Sequence, residues 1–534
     1  MKRVFSLSIA GGALLFLVAG LTANRATTVP QVIESEFLGP FTGADAPLDP
    51  ANVTPENIGY YGTDLGWSYQ HDGQIHFMFG DTWSTESYAP INGKESPLHD
   101  DVFGTVSGAE WPDGSRIEAG NVPTINLAQD PENKKFLTFD PGHAMDLGKT
   151  PIGGFSDGEH EYGLFLLVKG KSCQASSDCT GGMSCDTTLG TLGASLDEQA
   201  GTTLACLKGT PYCRGANHKG ICTDPTASIA GPTTAGKIAS AAMTLRFGRK
   251  SDRNPAQYID TADWVTTKFM NSAIRAVRQF EPESPADWDF SAPSGSDSRL
   301  KIFYFGRPSF IGVGAADRPA SLYFAYSSIP DAKHGWNKRY YYGTGKDGKP
   351  EFGPDESRAS PVSMATDEID MVNQMSVVWL EQIGKWMMVY GGGVTDIKSA
   401  LLPKCGLLQL FAGSDCDQVN MSDRSIVVRF ADNPWGPWSG SQVMMKVEGP
   451  GKGPSGQYAP GGSLRHPECQ ASNCAPHSRA YNYHEDEYGF LYGVNVIEPW
   501  TSVNGSELTI VWNASTWDPY RVGLYRTRFR IVTD

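Results

Sequence analysis

Strand-like runs recur in five groups along the chain, and this recurrence constrains the fold more than any other feature of the sequence. The runs are short, and they are either apolar throughout or alternate apolar with polar residues, which is typical of β-strands. In chain order they cover residues 62–83; 162–168 and 240–247; 301–305 and 321–326; 376–380, 386–390 and 425–430; and 488–492, 508–512 and 522–526. Five groups with roughly four strands each predict an all-β, five-bladed β-propeller.

Both faces of many of these runs are apolar, as expected when each blade packs between two neighbouring blades. The 60 glycines and 35 prolines of the 534-residue chain agree with a fold that is rich in turns. A two-sheet sandwich with appended domains is the alternative architecture, although the chain is long for a single sandwich.

The N-terminus has the pattern of a secretory signal peptide: a basic start at Lys2 and Arg3, an apolar run to Leu21, and small residues after it. We therefore expect residues 1–23 to be removed and the mature protein to be secreted, either extracellular or periplasmic. A retained membrane anchor is the alternative, because the run approaches the ~18 residues that span a bilayer. Residues 24–55 are interpreted as a lead-in that could donate a closing strand, and residues 56–534 as the propeller domain.

Ten cysteines, an even number, indicate an oxidising compartment and disulfide bonds. Six lie in an insertion over residues 172–224, which interrupts one blade hairpin and is too polar to build a core. These six are Cys173, Cys179, Cys185, Cys206, Cys213 and Cys222, and two local pairs follow at Cys405 with Cys416 and Cys469 with Cys474. A zinc cluster is the alternative, but export and the lack of a repeated two-residue spacing favour disulfides.

The formal net charge of −15 and the pI near 5.2 argue against nucleic acid and anionic membrane surfaces as partners, since both attract basic patches. A neutral substrate agrees better with this charge, and we expect a monomer. The sequence contains no Gly-rich phosphate loop, no His-Glu-x-x-His zinc helix and no Gly-x-Ser-x-Gly nucleophile elbow. We expect no metal site and no cofactor, although a structural cation such as calcium in the central channel stays open.

Residues 62–83 form a predicted β-hairpin with an aspartate near each open end. Asp72 and Gly73 make a two-residue turn, and if the register is centred there, Asp64 lies opposite Asp81. The two Cα atoms would then be roughly 4.5 to 5.5 Å apart. Repulsion between such carboxylates favours one protonated and one ionised member, which is the division of labour in glycoside hydrolysis. The alternative is a pair of aspartates that cap turns or bind a cation.

Several segments carry a resemblance to a known family: GTDLGW at 62–67, the Asp-Gly turn, FGDTW at 79–83 and STWDPYRV at 515–522. They resemble a family of secreted five-bladed propellers that includes bacterial endo-D-arabinanases. The resemblance is spread over most of residues 55–534, and NPWGPW at 433–438 is similar to blade ends of carbohydrate-active propellers. The Cys-rich insertion departs from the usual pattern of the family.

The resemblance implies hydrolysis of α-linked D-arabinofuranosyl chains, the arabinan of mycobacterial arabinogalactan and lipoarabinomannan. Asp64 and Asp81 match the two catalytic acids of the family. We assign Asp81 as the general acid, because Phe79 and Trp83 would desolvate it, and Asp64 as base or nucleophile; the reverse assignment stays open. Retention or inversion of configuration depends on the distance between the carboxyl groups, roughly 5 to 5.5 Å or 6.5 to 9.5 Å respectively.

Polar and aromatic side chains on several blades are candidates for sugar contacts around the channel mouth. The predicted substrate-binding residues are Trp83, Arg307, Asn373, Gln374, Tyr458, His466, Asn495 and Glu498, and Glu498 is also the candidate for a third acid. Structural roles are the alternatives: an interblade salt bridge for Arg307, turn capping for Asn373 and Gln374, and core packing for Trp83. A glycosidase for another furanoside (L-arabinan or a fructan) and a non-catalytic glycan-binding propeller are the competing functions.

Overall fold

The computed structural model describes the chain in segments. They are residues 29–43, 62–83, 98–99, 101–128, 149–167, 172–179, 183–192, 205–207, 213–214, 220–223, 243–253, 257–269, 272–278, 300–307, 322–330, 333, 335–364, 374–392, 425–446, 491–517 and 520–532. These segments are built from β-strands, with short 3₁₀ turns at Ser176–Asp178, Glu356–Arg358 and Glu498–Trp500. None of these segments forms a helix with the length and apolar character needed to cross a membrane.

Strand β1 (Gln31–Pro40) precedes five antiparallel sheets, which we number as blades one to five in chain order. Blade one contains β2 (Gly62–His71), β3 (Gln74–Trp83), β4 (Leu98–His99), β5 (Val102–Ser107) and β6 (Asn126–Leu127). Its strands are ordered β2-β3-β5-β6, and β4 pairs with the end of β3.

Blade two carries the Cys-rich insertion. In chain order the strands are β7 (Lys149–Ser156), β8 (Glu161–Leu167), then β9 (Ser172–Cys173), β10 (Ser184–Asp186), β11 (Leu189–Leu192), β12 (Ala205–Leu207), β13 (Cys213–Arg214) and β14 (Gly220–Thr223) of the insertion, and finally β15 (Met243–Lys250) and β16 (Tyr258–Thr266). Strands β8 and β15 pair directly, so the insertion interrupts one blade hairpin, as predicted.

The insertion folds into two small three-stranded sheets of its own. Disulfides join Cys173 to Cys185 and Cys179 to Cys222, so these four sulfurs are oxidised rather than available as zinc thiolates. The side chains of the other six cysteines lie outside the described part of the chain.

Blades three to five follow without a comparable insertion among the described residues. Blade three contains β17 (Ala273–Arg278), β18 (Leu300–Gly306), β19 (Tyr323–Ser327), β20 (Arg339–Thr344) and β21 (Pro350–Gly353); blade four contains β22 (Met375–Leu380), β23 (Lys385–Gly392), β24 (Ser425–Ala431) and β25 (Gln442–Lys446); blade five contains β26 (Leu491–Val496), β27 (Ser502–Asn504), β28 (Glu507–Trp517) and β29 (Tyr520–Arg530).

The two ends of the described chain meet in blade five. Strand β1 pairs antiparallel with β29, with Gln31 opposite Arg530, and becomes the outermost strand of that blade. A segment of the lead-in therefore supplies the closing strand that the sequence suggested, and the propeller includes residues before residue 56. Pairing of β1 with β29 closes the ring of blades, and the edge of β29 that faces β1 has its hydrogen bonds satisfied.

Strands β2, β7, β17, β22 and β26 contact one another around the central axis. Five buried apolar clusters fill the spaces between neighbouring blades, one at each interface. The cluster between blades one and two, for example, contains Trp67, Met78 and Phe165. The strands are apolar on both faces because both faces are buried by neighbouring blades. The predicted five-bladed propeller is confirmed, and the alternative of a two-sheet sandwich is wrong.

A buried charged cluster also joins blades one and two. Glu161 on β8 accepts hydrogen bonds from Lys250 (2.9 Å) and Tyr69 (2.7 Å), and its Oε2 lies 2.8 Å from His76 Nδ1. Burial alone would raise the pKa of Glu161, but the contact with His76 and the charge of Lys250 outweigh burial and hold this pKa at about 2. Glu161 is therefore ionised at neutral pH and anchors blades one and two to each other.

Candidate active site

The hairpin β2–β3 has the predicted register from its turn to Trp67 and again at Gly62, which lies opposite Trp83, but not between these two points. His71 pairs with Gln74 and Trp67 pairs with Met78, as a register centred on the Asp72-Gly73 turn requires. Beyond Trp67 the register shifts, and Asp64 lies opposite Gly80 instead of Asp81. The predicted direct pairing of the two aspartates is therefore wrong.

A β-bulge at Leu65 and Gly66 causes the shift. Leu65 has a φ angle of 65° and Gly66 a φ angle of 85°, so two successive residues adopt a left-handed backbone conformation. A glycine adopts this conformation at little cost, but a leucine rarely does. The extra residue moves Asp64 by one position relative to β3 and re-aims its side chain.

The carboxylate of Asp64 occupies a notch over Gly80. A methyl group at Gly80 would lie 2.5 Å from Asp64 Oδ1 and 2.9 Å from Leu65 Cδ1, which is too close for any side chain to be accommodated unchanged. The glycine is thus required by the position of the carboxylate. Asp64 itself is 7% exposed.

Blade five holds this carboxylate. The hydroxyl of Tyr492, the second residue of β26, donates a hydrogen bond of 2.8 Å to Asp64 Oδ2. A tyrosine on blade five therefore fixes the position of a carboxylate on blade one.

Strand β28 holds the bulge beside it. The backbone N–H of Leu65 donates to Ser515 Oγ at 2.6 Å, and Asn513 Nδ2 donates to the carbonyl oxygen of Leu65 at 2.7 Å. Asn495 Nδ2 donates to the carbonyl oxygen of Gly66 at 3.1 Å and to Asn513 Oδ1 at 2.9 Å. Asn495, predicted to bind sugar, is 5% exposed and its amide group is engaged within the protein.

Asp101 is an additional carboxylate that the sequence analysis missed. It immediately precedes β5, whose first residue Val102 pairs with Phe79, and the same register places Asp101 opposite Gly80. Asp64 and Asp101 therefore flank Gly80 from the strands on either side of β3. Asp101 is fully buried. No motif or spacing in the sequence distinguishes it from other aspartates.

Asp81 follows Gly80 in β3, and Trp83 ends that strand. The side chains of both residues, and the whole of Asn373, Tyr458 and His466, lie outside the described part of the chain.

Gln374 and Arg307 are both buried. A methyl group at Gly493 would have Leu65 Cδ2, Ser515 Oγ and Gln374 Oε1 as its nearest neighbours, at 3.0, 3.3 and 3.4 Å. Gln374 thus lies beside the bulge. Arg307 directly follows β18 and is 1% exposed.

Glu498 lies away from this group. It follows the C-terminal end of β26, whereas Tyr492 lies at the start of that strand. Arg275 on β17 contacts both carboxylate oxygens of Glu498, with one N···O distance of 2.8 Å. Blades three and five are not neighbours in the ring, so this ion pair reaches across the central channel.

The described residues include one cluster of three metal-ligating side chains, formed by Cys173, Cys179 and Cys222. All three sulfurs are in disulfides, so this cluster offers no thiolate to a metal.

No protein-family model and no curated protein matches the sequence. Among solved structures, the chain is similar to the α-L-arabinofuranosidase PaAbf62A from Podospora anserina in complex with cellotriose, with 10% identity, a TM-score of 0.33, and coverage of 94% of this chain and 98% of that chain. It is also similar to the catalytic domain of a GH62 α-L-arabinofuranosidase from Coprinopsis cinerea (9% identity, TM-score 0.34, coverage 94% and 98%).

A third similar structure is CoXyl43, a GH43 β-xylosidase/α-arabinofuranosidase from a compost microbial metagenome (10% identity, TM-score 0.29, coverage 94% and 95%). These structural neighbours belong to glycoside hydrolase families GH62 and GH43. The similarity is low, and the propeller assignment rests on the sheet topology of the chain itself.

Proposed function

We propose that this protein is a secreted glycoside hydrolase that cleaves α-D-arabinofuranosyl linkages in arabinan of the mycobacterial type, with Asp64 and Asp81 as its two acids. The observation that carries the proposal is the placement of Asp64, a buried carboxylate held over the glycine notch by a tyrosine hydroxyl, one residue from Asp81 along the facing strand. The resemblance of residues 62–67, 79–83 and 515–522 to endo-D-arabinanases supports the choice of substrate.

In the proposed reaction Asp81 gives a proton to the glycosidic oxygen as the bond to the anomeric carbon breaks. Asp64, whose carboxylate accepts the hydrogen bond from Tyr492, acts in one of two ways. It takes a proton from the attacking water, or it attacks the anomeric carbon to form a glycosyl ester, which a water molecule then hydrolyses while Asp81 takes the proton of that water. A furanosyl cation-like transition state develops positive charge, which a nearby carboxylate stabilises. The sum of these steps is hydrolysis of one glycosidic bond by one water.

Some of the sugar contacts in this proposal come from residues near the same notch. Gln374 lies beside the bulge and is the described candidate that fits best. Trp83, Arg307, Asn373, Tyr458, His466 and Glu498 remain predicted contacts, and Asn495 is better explained as a support for the bulge because its amide already bonds to Gly66, Ser68 and Asn513.

Secretion is supported by the signal-like N-terminus and by the two disulfides of the insertion, since disulfides persist in oxidising compartments. The acidic net charge supports a neutral polysaccharide as the partner.

The test is oligosaccharide release from purified mycobacterial arabinogalactan by the wild type, Asp64→Asn and Asp81→Asn, with polysaccharide binding measured in parallel. We expect short arabinose oligomers from the wild type and a reduction of on the order of 10² or more in each folded variant, with binding retained. Release from L-arabinan or fructan instead would indicate another furanoside. Binding without release from any of these glycans would indicate a non-catalytic module.

A further inference from the structure

The backbone next to Asp64 has an unusual conformation at Leu65. The backbone of Leu65 has a positive φ angle, which is a genuine outlier for a bulky residue. Conformations of this kind persist only where the surrounding structure enforces them, and they cluster at functional sites. Leu65 directly follows Asp64, so the strained residue sits next to the proposed base or nucleophile.

The groups that enforce this conformation come from another blade. Ser515 accepts the N–H of Leu65 at 2.6 Å, and Asn513 donates to the carbonyl oxygen of the same residue at 2.7 Å. Both side chains are fully buried on β28, and they bracket the one peptide segment that turns Asp64 toward Gly80. Tyr492 on β26 then binds the carboxylate itself.

We propose that Tyr492, Asn513 and Ser515 are positioning residues, through which blade five fixes the place and orientation of Asp64 on blade one. This inference rests on the proposed hydrolase function for its catalytic consequence. None of the three residues needs to touch the substrate: they act through Asp64 and the bulge beside it. The strict need for Gly66 follows from the same arrangement, because a methyl group there would lie 2.9 Å from Asn513 Nδ2.

The arrangement also gives a role to the C-terminal segment STWDPYRV. Its first residue, Ser515, is the acceptor for Leu65 N–H. The strand that carries Ser515 is paired along its length with β29, which in turn pairs with β1. The geometry of Asp64 thereby depends on the blade that closes the ring.

The experiment compares Tyr492→Phe and Ser515→Ala with two matched controls at buried hydrogen-bonding positions elsewhere. Tyr304→Phe removes a buried hydroxyl that bonds to Ser327 in blade three, and Ser272→Ala removes a buried hydroxyl that bonds to the carbonyl oxygen of Phe269. The thermal midpoint, kcat and KM on arabinan oligosaccharides, and amide hydrogen exchange of the peptide containing Leu65 and Gly66 are measured for all four variants.

We expect Tyr492→Phe to lower kcat by about tenfold or more with KM changed less than about twofold, because the lost contact orients a reacting group rather than the sugar. We expect Ser515→Ala to speed exchange of the Leu65 amide by about tenfold or more, since it loses its acceptor. The two control variants should lower the thermal midpoint about as much as the test variants do. They should leave kcat and the exchange of the Leu65 amide at wild-type values.

The proposal is overturned if Tyr492→Phe loses no more kcat than Tyr304→Phe and Ser515→Ala exchanges like Ser272→Ala. The exchange readout needs no turnover, so it separates the two proposals. If the wild type cleaves none of the furanosides, the hydrolase function is overturned. Faster exchange at Leu65 in Ser515→Ala would still show that blade five supports the bulge. Unchanged exchange at Leu65 would overturn that part as well.

Discussion

The carboxylates of Glu161 and Asp64 are held in different surroundings. Glu161 lies between blades one and two against Lys250 and His76, and its pKa is about 2. Asp64 is bound by the hydroxyl of Tyr492 and lies over the space that Gly80 leaves. Both carboxylates accept a hydrogen bond from a tyrosine hydroxyl. Glu161 also lies 2.9 Å from the Lys250 ammonium, which suits an anchor between blades, whereas Asp64 lies in a notch that a glycine leaves open.

The largest effect should come from filling the notch. Gly80→Ala places a methyl group 2.5 Å from Asp64 Oδ1, so we expect turnover to fall by about 10² or more, because a displacement of about 1 Å has effects of that size. Gly163→Ala is the matched control, since its methyl group would lie 2.8 Å from Tyr258 Cε1 beside the Glu161 anchor. Both variants should lose stability, but activity per folded molecule should fall only in Gly80→Ala. Equal activities in the two variants would contradict the difference proposed between the Asp64 notch and the Glu161 anchor.

The anchor should affect stability instead. Lys250→Met removes the ammonium that lies 2.9 Å from Glu161, and we expect the free energy of unfolding to fall by about 3 kcal/mol, as for other broken buried pairs. Chemical unfolding checks this value. The folded variant should retain kcat, and a loss of kcat without a loss of stability would mean that this cluster belongs to the active site.

The pH dependence of stability follows from the same anchor. The pKa of Glu161 is lowered on folding from 4.5 to about 2, so its contribution is fully present above pH 4.5 and is lost as the pH falls toward 2. The difference in unfolding free energy between the wild type and Glu161→Gln should therefore shrink between about pH 5 and the lowest pH at which the protein stays folded. A difference that is constant with pH would contradict the assigned cause.

The smallest effect concerns an exposed carboxylate. Glu36 on β1 accepts a hydrogen bond of 2.7 Å from Arg526 on β29, but its side chain is 38% exposed. We expect Glu36→Gln to change the free energy of unfolding by less than about 1 kcal/mol, because water and salt screen such pairs. Chemical unfolding of the wild type and Glu36→Gln at low and high salt measures this difference in free energy. A difference well above ~1 kcal/mol would show that ring closure depends on the Glu36–Arg526 pair.

Much of the architecture could be predicted from the sequence. All five strand groups became blades, because alternation and apolar content are local signals that survive folding. The Asp72-Gly73 turn fixed the register of the hairpin as far as Trp67. The insertion also interrupts the hairpin at which it was placed.

The stretch of that hairpin around Asp64 could not be predicted in the same way. A register extended from the turn assumes one residue per position on each strand, and the bulge at Leu65 and Gly66 breaks this assumption. The bulge depends on Ser515 and Asn513, roughly 450 residues away, and no local pattern connects them to Leu65. Asp101 was missed for the same reason, since only strand pairing brings it beside Gly80.

The sequence by itself determined the class of fold, the number of blades, the turn of the first hairpin and the segment that contains Asp64 and Asp81, because each depends on residues close together in the chain. The tertiary structure alone decided what Asp64 faces: Gly80 below it, Tyr492 on its carboxylate and the pair from β28 on its backbone. The physical reason is ring closure, which brings the last blade against the first and lets distant side chains bond to a strained backbone that could not persist alone.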